Sequence, residues 1–419
     1  MQNLNKEILK VCKKTKMYSV DLGNSSNKSR NIALESIARN IMMYKNKIIS
    51  SNKKDYKLAE KNNTPKHLLD RLLLDEVRID SMVNDIKNII KLDDPLGQEL
   101  IKKLRPNGLK ITKVSVPLGM IAVIFESRPN VASDVACLCI KSGNAVILKG
   151  GKEAKYTVET IISIIKQSLK KTKINHNVVS SLKNYSRDAV NQLLKMDKYI
   201  DVLIPRGGKD LISNVRKRSN IPVFSHLDGI CHTYIDKKVD LKMAINLSIN
   251  AKMRRTSICG ATETILCHEK IAKKVLPNLI IGLLNAGCEI RGDKKVKKYN
   301  SKVLLATEKD WQKEYLDAIV SIKVVKHIQE AVQHINEYGS KHTDAIISSD
   351  KKSSEFFLNK VESAIVMHNT STQFADGAEF GLGAEIGIST GKLHARGPVS
   401  THELTTYKYV VKGNGQLRE

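Results

Sequence analysis

The sequence predicts an α/β protein of two domains with a small additional β element. Three observations carry this. From about Lys110 onward, short apolar runs bounded by Gly, Pro, Asn or Asp alternate with helical stretches, the pattern of a mostly parallel sheet. A second alternating series begins near residue 230, with no internal repeat or low-complexity linker before it. Finally, 419 residues at 41% hydrophobic content exceed one ordinary domain and can bury a sizeable core.

The first 95 or so residues read as helices, and Ile79, Met82, Val83, Ile86, Ile89 and Ile90, spaced by threes and fours, mark one apolar face. After Pro95 the pattern changes to strands at Ile121 to Phe125, Ala145 to Leu148, Val202 to Ile204 and His232 to Ile235. The second series places strands at Thr264 to Cys267, Val303 to Ala306, Ile322 to Val325, Ala345 to Ser348 and Ala364 to Met367, with helices such as His327 to Tyr338 between them. Two β-rich pieces stand apart, Gly108 to Val116 and the tail Thr405 to Lys412. The tail strand is expected to join a partner subunit's sheet in a homo-oligomer, a homodimer or a tetramer of dimers, because each piece alone leaves an exposed edge. The expected domains are 1–228, interrupted by a hairpin at about 106–117, then 229–400, and a terminal oligomerisation strand at 401–419.

Composition excludes several classes. The start MQNLNKEILK lacks the apolar core of a signal peptide, and no apolar run approaches the roughly 18 residues of a membrane span, so a cytoplasmic protein is expected. Seven cysteines without paired spacing suggest neither a disulfide framework nor a metal site, and Cys137 and Cys139 lie in an apolar stretch that suits burial. The net charge of +27 invites a nucleic-acid reading. The lysines are instead spread along the whole chain, without basic runs or aromatic interleaving, so specific nucleic-acid binding is not expected. A positive field would still favour anionic substrates.

Four segments carry chemistry. In NAKMRRTSICGATETILCH, Asn250 to His268, Cys259 leaves a polar loop for a β-rich run, four residues after Arg255, where cations favour thiolate. In LIPRGGKDLI, Leu203 to Ile212, a strand ends at Pro205 and Gly207 and Gly208 precede a helix, so their amides suit a phosphate. In KSGNAVILKGGKEA, Lys149 ends a strand at the edge of a parallel sheet where cofactors bind. The glycine-rich stretch His368 to Pro398 has the character of a loop that shapes a binding site. Taken singly, each has an ordinary alternative: a buried cysteine, a plain turn, a solvated lysine.

Together with VPLGMIAVIFESRPN, MDKYIDVLIPRGG, HLDGICHTYID, EFGLGAEIGISTGKLHARGP and ELTTYKY, these segments resemble the gamma-glutamyl phosphate reductase family of the aldehyde-dehydrogenase superfamily. The resemblance runs in order from about residue 90 to the end. It implies an aldehyde-dehydrogenase-like fold and NADPH-dependent reduction of L-glutamyl 5-phosphate to L-glutamate 5-semialdehyde in proline biosynthesis. Functional coupling to glutamate 5-kinase follows from the same resemblance. Carried over residue by residue, the nucleophile falls on Cys259 and the oxyanion-stabilising asparagine on Asn130. Lys149, Pro205, Gly207, Gly208 and Glu314 fall on the cofactor site. Arg128, Arg255 and Arg396 are candidate holders of the phosphate or the α-carboxylate, since guanidinium suits both. Thr256 and Gly260 depart from the family's proline and asparagine beside the nucleophile. His226-Leu227-Asp228-Gly229 stands where oxidising aldehyde dehydrogenases carry a general-base glutamate, and a reductase gains from lacking a base that would activate water against its thioester.

Overall fold

The computed structural model describes residues 2–418, apart from the side chains of Gln2, Asn3 and His67. The chain divides into two compact units, Met1–Ser225 with Gly381–Gly387 and Val399–Glu419, and His226–Phe380 with Ile388–Pro398. The expected boundary after residue 228 thus falls three residues earlier, and two later segments return to the first unit.

The first unit opens with five helices, α1 (Gln2–Gly23), α2 (Asn27–Met43), α3 (Lys45–Lys61), α4 (Lys66–Leu72) and α5 (Glu76–Lys91). On α5 the spacing read from the sequence holds, for Ile79, Met82, Val83, Ile86 and Ile89 are buried, and Asp75 caps the helix by accepting from Arg78 N. There follow β1 (Glu99–Leu104), β2 (Lys110–Pro117), β3 (Met120–Phe125), α6 (Val131–Lys141), β4 (Ala145–Lys149), α7 (Lys155–Leu169), β5 (Val179–Ser181), α8 (Arg187–Leu193), β6 (Val202–Arg206) and α9 (Lys209–Arg218). Strands β5-β4-β3-β6 form a parallel sheet. All six residues of β3 are buried, as a central parallel strand covered on both faces requires.

The second unit contains β7 (Cys231–Ile235), α10 (Leu241–Met253), β8 (Thr262–His268), α11 (Glu269–Asn285), β9 (Glu289–Gly292), α12 (Lys294–Lys297), β10 (Leu304–Leu305), β11 (Ile319–Val325), α13 (Ile328–Tyr338), β12 (Thr343–Ile347), α14 (Lys351–Lys360) and β13 (Ile365–His368). Its seven strands are parallel, in the order β10-β9-β11-β8-β7-β12-β13. Helix α11 buries Val275, Leu276, Leu279, Ile280 and Leu283 in a core shared with Ile265, Cys267 and Ile322 of the sheet. The strand expected at Val303 to Ala306 shrinks to two residues, Leu304 and Leu305, about half exposed at the sheet's edge. Strand β9, with Glu289 and Arg291 in only four residues, gave no apolar run to read.

The glycine-rich stretch holds two short paired strands, β14 (Gly387–Ser389) and β15 (Gly397–Val399), before the tail strand β16 (Thr405–Lys412). The tail finds one pairing within its own chain. β16 pairs antiparallel with β2 over eight residues, from Thr405 opposite Pro117 to Lys412 opposite Lys110, and its other side is the end of the sheet. The two β-rich pieces have matching lengths and alternation, so each satisfies the other's inner edge. Strand β1 pairs with the other side of β2, making a three-stranded sheet, β1-β2-β16. Among the described residues no helix is long and apolar enough to cross a membrane.

Candidate active site

Parallel sheets bring residues distant in sequence to a common edge. In the second unit the order β8-β7-β12 makes the segments that enter these three strands neighbours. Cys259 lies three residues before β8, His226 in the approach to β7, and His342 immediately before β12. One ligand-type atom from each, the Cys259 sulfur and an imidazole nitrogen of each histidine, all lie within 4.8 Å of one another. The two imidazole rings meet edge to face with centroids 5.0 Å apart.

The chain is shaped tightly around the nucleophile candidate. Gly229 lies so close that a Cβ there would come within 2.6 Å of the Cys259 Cα, which only glycine avoids. Gly229 N donates to Glu314 Oε1 at 2.9 Å, and Cys231 Sγ donates to the Cys259 carbonyl at 3.0 Å. On either side of the loop, Lys252 in the last turn of α10 and Glu263 in β8 form a fully buried ion pair at 2.5 Å. Glu263 also accepts from Leu316 N at 3.2 Å. The loop is therefore anchored at both ends, whatever rigidity Thr256 and Gly260 forgo.

Burial pushes the Cys259 thiol up, but the charge of His342 and a hydrogen bond from His226 outweigh it, and the thiol falls well below its ordinary value. No partner reaches His342 Nε2 at hydrogen-bond distance, so charge is the influence that counts from that ring. Cys231 in the same neighbourhood is pushed well up by burial. Six of the seven cysteines are buried, Cys137 and Cys139 among them as expected, and Cys259 alone is half-exposed. Position, access and acidity single out one thiolate.

In the first unit the adjacent strands β4-β3-β6 present their carboxyl ends to one edge, where cofactors sit on doubly wound sheets. Lys149 ends β4, 3% exposed, with its ammonium donating to Gly150 O at 3.0 Å and 5.1 Å above the Tyr185 ring. Burial lowers its pKa, opposed by Glu153 and Glu126. Pro205 is buried in β6, and Gly207 and Gly208 follow it, exposed, at the start of α9. Gly208 N donates to Glu126 Oε2 at 3.0 Å, so the amide already holds an anion.

Asn130 sits at the amino end of α6 without capping it, and its Nδ2 donates to Asp134 Oδ2 at 2.9 Å. Asp134 Oδ1 is cut off from solvent without a partner, and burial, reinforced by Asp85, pushes this carboxyl up to about 7.

The three arginines are not alike. Arg128 is half-buried and Arg255 exposed. Arg396 is half-buried and bound to Glu362 at 2.8 Å, which already spends much of its charge. Glu314, carried over as a cofactor contact, clamps the Gly229 amide beside Cys259, and burial raises its pKa.

Sequence reasoning found Cys259 and missed what surrounds it. His226 was noticed only as the place of an absent glutamate, and His342 not at all. Asp134, Lys252 and Glu263 were also missed. The one signal was positional, since each histidine and Cys259 precedes a strand of one parallel sheet, but the strand order needed to align them is a property of the fold.

The aldehyde dehydrogenase family model matches residues 36–284. The gamma-glutamyl phosphate reductase of Paramagnetospirillum magneticum is 48% identical over 386 residues, 92% of this chain and 91% of its own length. That of Nautilia profundicola is 46% identical over 414 residues, 99% and 100% of the two chains. The crystal structure of gamma-glutamyl phosphate reductase from Thermotoga maritima matches with a TM-score of 0.95 at 40% identity, covering 99% of this chain and 100% of that one. An acetylating aldehyde dehydrogenase from Geobacillus thermoglucosidasius, at 17% identity and a TM-score of 0.72, shares the fold over 100% of this chain and 99% of its own. The fold, the family match and relatives alike over nearly their whole length place this chain in the aldehyde dehydrogenase family, among the gamma-glutamyl phosphate reductases.

Proposed function

We propose that the protein reduces L-glutamyl 5-phosphate to L-glutamate 5-semialdehyde with release of phosphate and with NADPH as reductant, the second step of proline biosynthesis from glutamate. The observation that carries the reading is the half-exposed Cys259 held among two imidazoles within 4.8 Å. It stands in a chain 46% identical, end to end, to a gamma-glutamyl phosphate reductase.

Cys259 as thiolate attacks the γ-acyl carbon, and the carbon–oxygen bond to phosphate breaks with its electron pair leaving on phosphate. Asn130, one N–H of whose amide is committed to Asp134, has its second N–H for the oxyanion that forms at each tetrahedral stage. The donor set at the carboxyl edge of the first sheet fits a phosphorylated dinucleotide. Lys149 uses one of its three ammonium donors on Gly150 O, and the Gly208 N–H, which donates to the Glu126 carboxylate, could donate to a cofactor phosphate in its place. Bound there, the reduced nicotinamide supplies hydride for the acyl carbon. The carbon–sulfur bond then breaks, the electron pair returns to Cys259, and His226 and His342 again hold it as thiolate. His226 leaves no carboxylate at the position where an oxidising enzyme would activate water.

The same proposal includes a cytoplasmic enzyme, supported by seven unpaired cysteines, that works in sequence with glutamate 5-kinase and assembles as a homo-oligomer through the β1-β2-β16 sheet.

A burst experiment tests it. Glutamate 5-semialdehyde and NADP+ without phosphate should yield one NADPH per Cys259 and then stop, with a glutamyl group on the protein by intact mass. Adding phosphate should restart turnover. Continuous turnover without phosphate, or a burst that survives in Cys259→Ala, contradicts the reading.

A further inference from the structure

We propose that Cys259, His226 and His342 form a binding site for a thiophilic divalent cation, Zn2+ foremost, whose occupancy silences the nucleophile. The silencing rests on the reading of Cys259 given above; the site itself does not.

The donor set comes first. Two imidazoles and one thiolate on separate segments, all three atoms within 4.8 Å of one another, match the three protein ligands of a zinc site that keeps a fourth position open. Zinc bonds of about 2.0–2.3 Å place tetrahedral donors about 3.3–3.6 Å apart, so side-chain rotations of about 1 Å close the site.

Ring orientation comes second. His226 Nδ1 lies 2.6 Å from the Ile388 carbonyl, which can only accept, so Nδ1 carries a proton, and Nε2 is the nitrogen a cation would take, in exchange for any proton it shares with the thiolate. His342 Nδ1 is 2.9 Å from Thr343 Oγ1. In both rings, then, Nδ1 is held from behind and Nε2 is left as the ligand atom, the outer-shell arrangement that orients metal-binding histidines.

Third, His342 is fully buried and its Nε2 has no hydrogen-bond partner. An orphaned buried nitrogen beside a half-exposed thiol is a polar atom in need of a ligand. Sulfur and imidazole select zinc or another soft cation over calcium or magnesium, which take oxygen ligands. Coordination ties up the sulfur lone pair that would attack the acyl carbon and displaces protons from the site to solvent. The three donors are far apart in sequence, which is why cysteine spacing gave no hint of them.

Cobalt(II) titration of the metal-free protein, without substrates, reads the site directly. The expected result is a near-ultraviolet thiolate-to-cobalt band with tetrahedral visible bands, one cobalt per chain, displaced by Zn2+. The near-ultraviolet band should vanish in Cys259→Ser, and His342→Ala or His226→Gln should weaken binding at least tenfold while each variant keeps the wild-type circular dichroism. Zn2+ should also protect Cys259 from iodoacetamide, and a chelator should restore labelling. A titration without a Cys259-dependent band overturns the proposal, as does affinity unchanged in both histidine variants. Since the spectrum does not depend on turnover, a protein that shows the band but no phosphate-dependent activity refutes the proposed function and leaves the site standing. An active protein without the band does the reverse.

Discussion

Asn130 and Asp134 show how much one side chain can depend on another. The amide of Asn130 is steered by a carboxylate whose second oxygen is sealed from water, and the cost of that burial appears as a pKa of about 7. An acid whose folded pKa lies above its ordinary value of 3.8 keeps its proton in the folded state through a window where the unfolded chain has lost it. Stability must therefore fall as pH rises from about 4 to about 7, by up to about 4 kcal/mol from this group. Asp134→Asn keeps an oxygen acceptor for Asn130 and cannot ionise. In urea unfolding at pH 5 and pH 8 the variant should lose less stability between the two than wild type does, and an equal loss in both would show Asp134 to be charged throughout. Lys149 makes a different demand. Buried to 3% exposure with donors unused, it should matter to cofactor binding more than to chemistry. Lys149→Ala is expected to raise the apparent constant for NADPH at least tenfold with a smaller fall in maximal rate, checked by steady-state kinetics against NADPH and NADH. Equal use of NADH and NADPH by wild type would remove the phosphate contact from the account.

Among the elements, strands written in apolar residues were legible, the edge strands β6 and β13 included, and strands with polar or exposed residues were not. β3, β4 and β7 are apolar runs ended by turn residues, and each lies within a residue or two of its expected place, because a strand buried on both faces must be written in apolar letters. The four-residue β9, between β10 and β11, and the two-residue edge strand β10 have polar or solvent-facing residues and carry no such constraint. The β1-β2-β16 sheet lies between these cases. Alternation in both pieces marked strands, and the in-chain pairing with β2 satisfies one side of β16 and leaves its other side as the end of the sheet. The sheet still exposes Leu100, Ile101 and Leu104 on β1 and Tyr407, Tyr409 and Val411 on β16. Apolar side chains on a three-stranded sheet with two outer edges favour a second copy as cover. Light scattering at micromolar concentration should give at least a dimer for the full chain. Deleting residues 403–419, which uncovers β2, should give monomers or aggregates; an unchanged oligomer would show that this sheet does not hold it together.

At the scale of the whole molecule, two parallel sheets are used at opposite ends. The first offers the carboxyl ends of β4, β3 and β6 to Lys149, Asn130 and Gly208; the second offers the amino ends of β8, β7 and β12 to Cys259, His226 and His342. Cys259 and Lys149 could be proposed from sequence, because the family resemblance added to the turns and strand ends that surround them. His342 could not, since its neighbour Cys259 reaches it only through the strand order of the folded sheet. The central claim is that this arrangement performs acyl-phosphate reduction through Cys259. Its most direct test is the reaction run backwards, following NADPH formation from glutamate 5-semialdehyde and NADP+ as phosphate is varied, in wild type and in a folded Cys259→Ala variant. The account predicts a rate that saturates with phosphate in wild type and falls at least a thousandfold in the variant. A rate independent of phosphate, or more than a few per cent of it surviving without the thiol, would contradict the account.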